Sequence, residues 1–256
     1  MLTPDSIRAR LEAEAQAQGL EILHACESGS RAWGLASTDS DYDVRFVYRR
    51  PLGRYLEMQR PVDVIGPVLE GELDFAGWDL PKFAAHLVRS NPSVLEWLGS
   101  PQFYLHDKGF LDQARDLANR YFDVRRAVHH YVGIGQSAWD GGRQADGTWN
   151  LKKFFYFARP TLAADFIVRH GAMAPVPFDE LYAHCGDAGL SAELEDLVRH
   201  KAGVSEGTDF PVPGPLETEL VRRRTDAARA ADAFPMLAPD PEAANRFLLE
   251  QFGVPL

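Results

Sequence analysis

Apolar side chains follow two rhythms along the first hundred residues. Ile7 and Leu11, with alanines between, keep helical spacing from Pro4 to Gly19, and Thr3-Pro4-Asp5 gives a start where proline's missing N–H costs nothing. Leu20 to Ala25 then reads as a short strand, ending in the small-residue turn Glu27-Ser28-Gly29-Ser30. A helical turn over Arg31 to Leu35 and a polar loop, Ser37-Thr38-Asp39-Ser40, follow. From Asp41 to Tyr48 the period is two. Asp41, Asp43, Arg45 and Val47 fall on one face, and Tyr42, Val44, Phe46 and Tyr48 on the other.

Residues 51–61 read as an excursion or short helix, and Val62 to Ile65 and Glu72 to Phe75 as strands joined by a Gly/Pro-containing connection. Helical spacing returns from Trp78 to Arg89 and, after Asn91-Pro92, from Ser93 to Leu98. Phe103-Tyr104-Leu105 predicts a last edge strand. The first hundred residues therefore predict a small sheet in an α/β or α+β setting. Beyond residue 107 the spacing is helical, over 108–119, 122–139, 149–170, 178–184, 191–201, 215–230 and 241–252. Gly141-Gly142, Pro175-Val176-Pro177 and Pro211 to Pro215 interrupt it, and no internal repeat is visible. The change of character places a domain boundary near 105–120.

Composition narrows the setting. With 256 residues and 45% apolar content the chain can build a sizeable core, which excludes wholesale disorder. Acidic residues outnumber basic ones 37 to 27, a net charge of −10, which argues against a surface that coats long nucleic acid. Any such contact is expected to be local. Cys26 and Cys185 offer no disulfide framework and no zinc-ligand spacing. The opening residues lack a basic and then apolar leader pattern, and no apolar run approaches membrane-spanning length, so a cytoplasmic protein with no membrane contact is expected.

Asp41 and Asp43 pull this picture toward chemistry. At i and i+2 of a strand their carboxylates emerge on one face, and their repulsion calls for a cation such as a divalent metal ion. Upstream, Gly29-Ser30 lies at a strand-to-helix turn whose N–H groups and hydroxyl suit phosphate oxygens. Arg31 is placed to reach a phosphate or to be a plain surface arginine. Arg45 suits substrate phosphate or simple offsetting of the aspartates. Trp33 and Tyr42 fit base stacking or core packing, with core favoured. On the segment from Lys152 to Arg159, Lys152, Tyr156 and Arg159 recur at helical spacing, as do Lys153 and Tyr156. The adjacent His129 and His130 point two ways and make a poor metal pair.

These residues also resemble a known family. Gly29-Ser30-Arg31-Ala32-Trp33-Gly34 followed by Ser40-Asp41-Tyr42-Asp43-Val44 is similar to the Gly-Ser and Asp-x-Asp signature of the DNA polymerase beta-like nucleotidyltransferase superfamily. Three further stretches, Gly77 to Phe83, Asn91 to Leu98 and Leu151 to Pro160, resemble its branch that includes RNA-ligase-associated RNA repair proteins.

The resemblance implies an α+β fold, a small mixed nucleotidyltransferase-type sheet flanked by helices and followed by a mostly helical domain. The division would be a catalytic domain over 1–106 and an acceptor- or nucleotide-binding domain over 107–256. It implies transfer of a nucleoside monophosphate from an NTP to an acceptor, with two Mg²⁺ ions, or Mn²⁺ in their place. Asp41 and Asp43 would be metal ligands. A third carboxylate would complete the catalytic set, with Asp74 favoured over Asp63 and Asp79, the last suiting a helix start. Gly29, Ser30, Arg31, Lys153, Tyr156 and Arg159 would bind the nucleotide. The acceptor implied first is an RNA end in repair, with Arg125, Arg126, Lys152 and Lys153 to hold it and an RNA ligase as partner. A protein, tRNA or small-molecule hydroxyl is the second reading, and a non-catalytic nucleotide- or RNA-binding regulator the third.

Overall fold

The computed structural model describes residues 2–238 and 240–255. In chain order the elements begin with α1 (Pro4–Gln18), β1 (Glu21–Ser28), the single turn α2 (Gly29–Ala32), β2 (Tyr42–Arg49), β3 (Val64–Glu70) and β4 (Leu73–Asp79). Then come α3 (Leu80–Val88), α4 (Pro92–Gly99), β5 (Phe103–His106), α5 (Lys108–Tyr121) and α6 (Val124–Gly142). The rest are β6 (Trp149–Asn150), α7 (Leu151–His170), α8 (Phe178–Ala183), α9 (Ala188–Ala202), β7 (Asp209–Phe210), α10 (Gly214–Ala231) and α11 (Pro241–Gln251). Two compact units result. One gathers the chain up to Gly29, Asp41–Tyr121 and the stretch from Ala238; the other holds Ser30–Ser40 and Phe122–Leu237.

The first unit is built on a five-stranded sheet in the order β3-β4-β2-β1-β5, in which only β2 and β4 run parallel. Alternation in β2 decides its packing. Val44, Phe46 and Tyr48 are buried with Phe75 of β4 and with Ile7 and Leu11 of α1. Thr3 and Ser6 form a reciprocal capping box at the start of α1, and Gly19 closes it in the left-handed conformation. Gly77 faces Phe46 across the parallel ladder, and a Cβ there would fall 2.2 Å from the Phe46 ring.

Two sequence expectations need correction here. β4 continues to Asp79, so Trp78 is a strand residue, its ring packed against His86 at 4.6 Å and Trp97 at 4.4 Å. Gly66-Pro67 is not the connection between strands. It lies inside β3, where the ladder to β4 shifts register between Ile65 and Val68.

The second unit is helical. α6 and α7 pack together with α10, α8 lies against α7 and α9, and β6 pairs with β7 in a two-residue ribbon that periodicity is too short to reveal. Trp149, Phe154, Phe155 and Phe157 are fully buried at its centre. Gly142 lets α6 approach α7, since a Cβ there would lie 2.5 Å from that of Lys153. Among the described residues no helix is long and apolar enough to cross a membrane.

The compact units fall differently from a division at 106/107. α5 buries Phe110 between Phe83 of α3, at 5.7 Å, and Phe247 of α11, at 5.9 Å, so both helices belong to the sheet unit. The change at residue 107 marks where the five-stranded sheet ends. It does not mark where a unit ends.

Candidate active site

β1 delivers the chain to the turn at Gly29, and β2 returns beside it in antiparallel register, with Ser28 opposite Asp43. Gly29 has φ +61°, and a Cβ on it would lie 2.1 Å from Asp43 Oδ2. A side chain there would meet both backbone strain and collision. On the other flank of β2 the parallel pairing sets Asp43 opposite Asp74 of β4. Cross-strand partners point to one side of a sheet, so the two carboxylates are neighbours.

Like charges at that separation need compensation, and Arg45 supplies it. Its Nη2 donates to Asp74 Oδ2 at 2.8 Å and to Asp43 Oδ1 at 3.3 Å, and its Nη1 to the carbonyls of Val44 at 3.0 Å and Asp74 at 3.1 Å. All three side chains are roughly one-fifth exposed, at 21, 24 and 22% for Arg45, Asp43 and Asp74. Asp74 Oδ1 is buried and meets no hydrogen-bond partner among the described residues. Behind the pair, fully buried Glu27 accepts the Asp43 N–H at 2.8 Å and the Tyr104 hydroxyl. Sequence reasoning passed over Glu27. Its signal was a carboxylate at the end of a strand, directly before the Ser28-Gly29 turn.

Among the candidates for the third acid, Asp74 alone is placed beside Asp43. Asp63 is exposed and paired with Lys82 at 3.2 Å. Asp79 stands at the start of α3 and accepts the Tyr55 hydroxyl, and burial pushes its carboxyl above the usual range. Asp41 is exposed, one residue ahead of β2. Among the described residues no three His, Cys, Asp or Glu side chains come together as a metal-ligating group.

The second unit positions the remaining residues. Ser30 is buried, and Arg31 donates to the Ser40 carbonyl at 2.7 Å, across the loop between them. That loop is fastened from α9 and the segment after it. Buried Lys201 donates to the Leu35 carbonyl and to Ser37 Oγ at 2.8 Å. Glu206 accepts from Ser40 Oγ at 2.7 Å and from Lys152, and its N–H donates to Asp39 at 3.2 Å. Burial lowers the Lys201 pKa from the usual lysine value. Burial acts to raise that of Glu206, but the bonds from Lys152 and Ser40 prevail and leave it below its usual range.

α7 splits the expected cationic edge. Lys153 is exposed and Tyr156 half-buried, its ring edge-on to Trp33 at 4.9 Å. Lys152 is taken by Glu206, Arg125 pairs with Asp232 at 3.0 Å and Arg126 with Asp123 at 3.6 Å. Arg159 corrects the expectation most. It is 1% exposed, donates to the Val176 carbonyl at 3.2 Å and lies over the Trp33 ring at 4.5 Å, a place in the core and not on a cleft edge.

A small mixed sheet with aspartates on adjacent parallel strands, beside a glycine-bearing strand-to-helix turn and followed in sequence by helices, defines a nucleotidyltransferase-type fold. The model of the RNA repair pathway DNA polymerase beta family, RlaP, matches residues 4–250, and the chain belongs to that family. It is also 37% identical over 187 residues to an uncharacterized protein, YcgL, of Bacillus subtilis (strain 168), a match that covers 73% of this chain and 72% of that one.

Proposed function

We propose that the chain is a Mg²⁺-dependent nucleotidyltransferase, with Mn²⁺ a substitute ion, that moves a nucleoside monophosphate from an NTP to the hydroxyl of an RNA end. The observation that carries this is the Asp43–Asp74 pair: two carboxylates at one register position, one of them with a buried oxygen left without a partner, beside a turn that has no room for a Cβ. Those features fit a divalent cation, which Asp43 and Asp74 would hold, with Asp41 two residues upstream as the further carboxylate. Such an ion, when bound, supplies Lewis-acid stabilisation of phosphoryl oxygens and a more acidic acceptor hydroxyl.

The chain's own residues do the positioning. Glu27 fixes the Asp43 backbone, and the N–H groups after Gly29 offer donors to phosphate oxygens. By the family resemblance, Lys153 and Tyr156 would contribute to nucleotide binding. The acceptor oxygen bonds to the α-phosphorus as the α–β anhydride breaks. Pyrophosphate leaves with the bonding electrons and the hydroxyl proton passes to water. Alignment and electrostatics supply the rate, with no covalent protein intermediate. The RNA repair description of the family supports RNA as the acceptor class.

Protein incubated with Mg²⁺, labelled NTP and RNAs of defined ends should transfer label and release pyrophosphate. Asp41→Asn, Asp43→Asn and Asp74→Asn should each slow transfer by about 100-fold or more while circular dichroism stays unchanged. Transfer at the wild-type rate by Asp43→Asn protein would overturn the reading.

A further inference from the structure

Arg45 touches both carboxylates proposed to hold the metal, and we infer that it is an exchangeable internal cation: it occupies the Asp43–Asp74 pair in the metal-free protein and is displaced when a divalent ion enters. This inference rests on the proposed metal-dependent reading of the site. Its basis is geometric. A single guanidinium nitrogen, Nη2, spans Asp74 Oδ2 and Asp43 Oδ1, while Nη1 is held by two backbone carbonyls of the same strands. Two of these bonds bridge the carboxylates and the other two fix the guanidinium to the backbone of both strands.

The hold is incomplete, because Asp74 Oδ1 is left buried and without a hydrogen bond. A guanidinium that satisfied the pair fully would use that oxygen as well. The orphaned atom is a standing cost that a small divalent cation relieves and that Arg45 does not. The two cations also exclude each other, since a second positive charge on the same two carboxylates gains only what the first gives up. Arg45 lies two residues beyond Asp43 and is one-fifth exposed, so its side chain can swing outward, toward an anionic triphosphate, without rearranging the core. Metal binding in the absence of nucleotide should therefore be weak, and arrival of the triphosphate should strengthen it by offering Arg45 a new anion.

The test is direct binding of Mn²⁺ alone to the full chain, followed by electron paramagnetic resonance or calorimetry, for wild type, Arg45→Gln, Arg45→Lys and Asp43→Asn/Arg45→Gln. Removing the competing charge should tighten Mn²⁺ binding by about ten-fold or more in Arg45→Gln. Arg45→Lys, with one compact ammonium in place of the bridging fork, should fall between. Thermal melting should show Arg45→Gln less stable than wild type without metal and more strongly stabilised by Mn²⁺, a combination that a purely structural arginine does not give. If Arg45→Gln does not fold, Arg45→Lys is read in its place. Equal or weaker Mn²⁺ binding without Arg45 overturns the inference, as does undiminished binding in the double variant, which would put the ion elsewhere. Nucleotide-supported Mn²⁺ binding that is abolished by Asp43→Asn but indifferent to Arg45 leaves the metal site standing and removes only the role of Arg45. Absence of Mn²⁺ binding to every variant, with or without a non-hydrolysable NTP, overturns the metal reading and this inference with it.

Discussion

Gly29 carries more of the site than its size suggests. Its φ of +61° is one that side-chain-bearing residues rarely adopt, and the space a Cβ would fill is held by the Asp43 carboxylate. Gly29→Ala is therefore expected to cost about 1–3 kcal/mol and to shift Asp43 away from Asp74. Melting temperature and nucleotidyl transfer, measured together, check this. An alanine variant with wild-type stability and activity would remove the turn from the mechanism. Arg159 is the contrasting residue. Its spacing with Lys152 and Tyr156 is legible in the sequence, but spacing on a helix says which residues share a face, not which face meets solvent. Packing against Trp33 and the Val176 carbonyl decided that.

At the scale of elements, the loop from Ser30 to Ser40 joins the Gly29 turn to the aspartate strand, and its conformation is set by side chains more than a hundred residues away. Lys201 gives buried, charge-assisted bonds to Leu35 and Ser37, and Glu206 ties Ser40 to Lys152. Lys201→Met removes the cation and leaves the Leu35 carbonyl buried without it. Amide hydrogen exchange over residues 35–41 should then accelerate by about ten-fold or more, while α6 and α7 keep their protection. Unchanged exchange in that loop would mean that Lys201 does not hold it. The aromatic and Asp-x-Asp strands, by contrast, were readable from alternation, because one face of β2 is buried and register follows.

For the whole molecule, acid sensitivity follows from His24. Buried beneath the sheet unit's helices, with Nε2 near the Trp97 carbonyl at 3.0 Å, it has a pKa lowered to about 4, chiefly by burial. The folded protein keeps it neutral while the unfolded chain takes up a proton below about 6.5, so the unfolded state binds more protons in that window. Stability should fall as pH drops from about 6.5 to about 4, by about 3 kcal/mol from this residue. Asp79, raised by burial, works in the opposite sense, since acid relieves its penalty. Urea unfolding at pH 7 and pH 4.5 for wild type and His24→Gln separates the two: the variant should lose less stability on acidification, and an equal loss would exclude His24 as the source.

The sequence alone determined the strands and helices with long, regular periodicity, the Gly29-Ser30 turn and the Asp41–Asp43 spacing, because local conformation and side-chain alternation are properties of neighbouring residues. The net charge of −10 is likewise a property of the composition alone. Tertiary structure decided the rest. Pairing of β2 with β4 set Asp74, and neither Asp63 nor Asp79, opposite Asp43 and brought Arg45 between the two carboxylates. The packing of α5 and α11 moved the unit boundary, and Lys201 and Glu206 became anchors of a distant loop. Each of these depends on which strands lie side by side and which side chains lose water together. Those are contacts between residues far apart in the chain, and no local pattern encodes them.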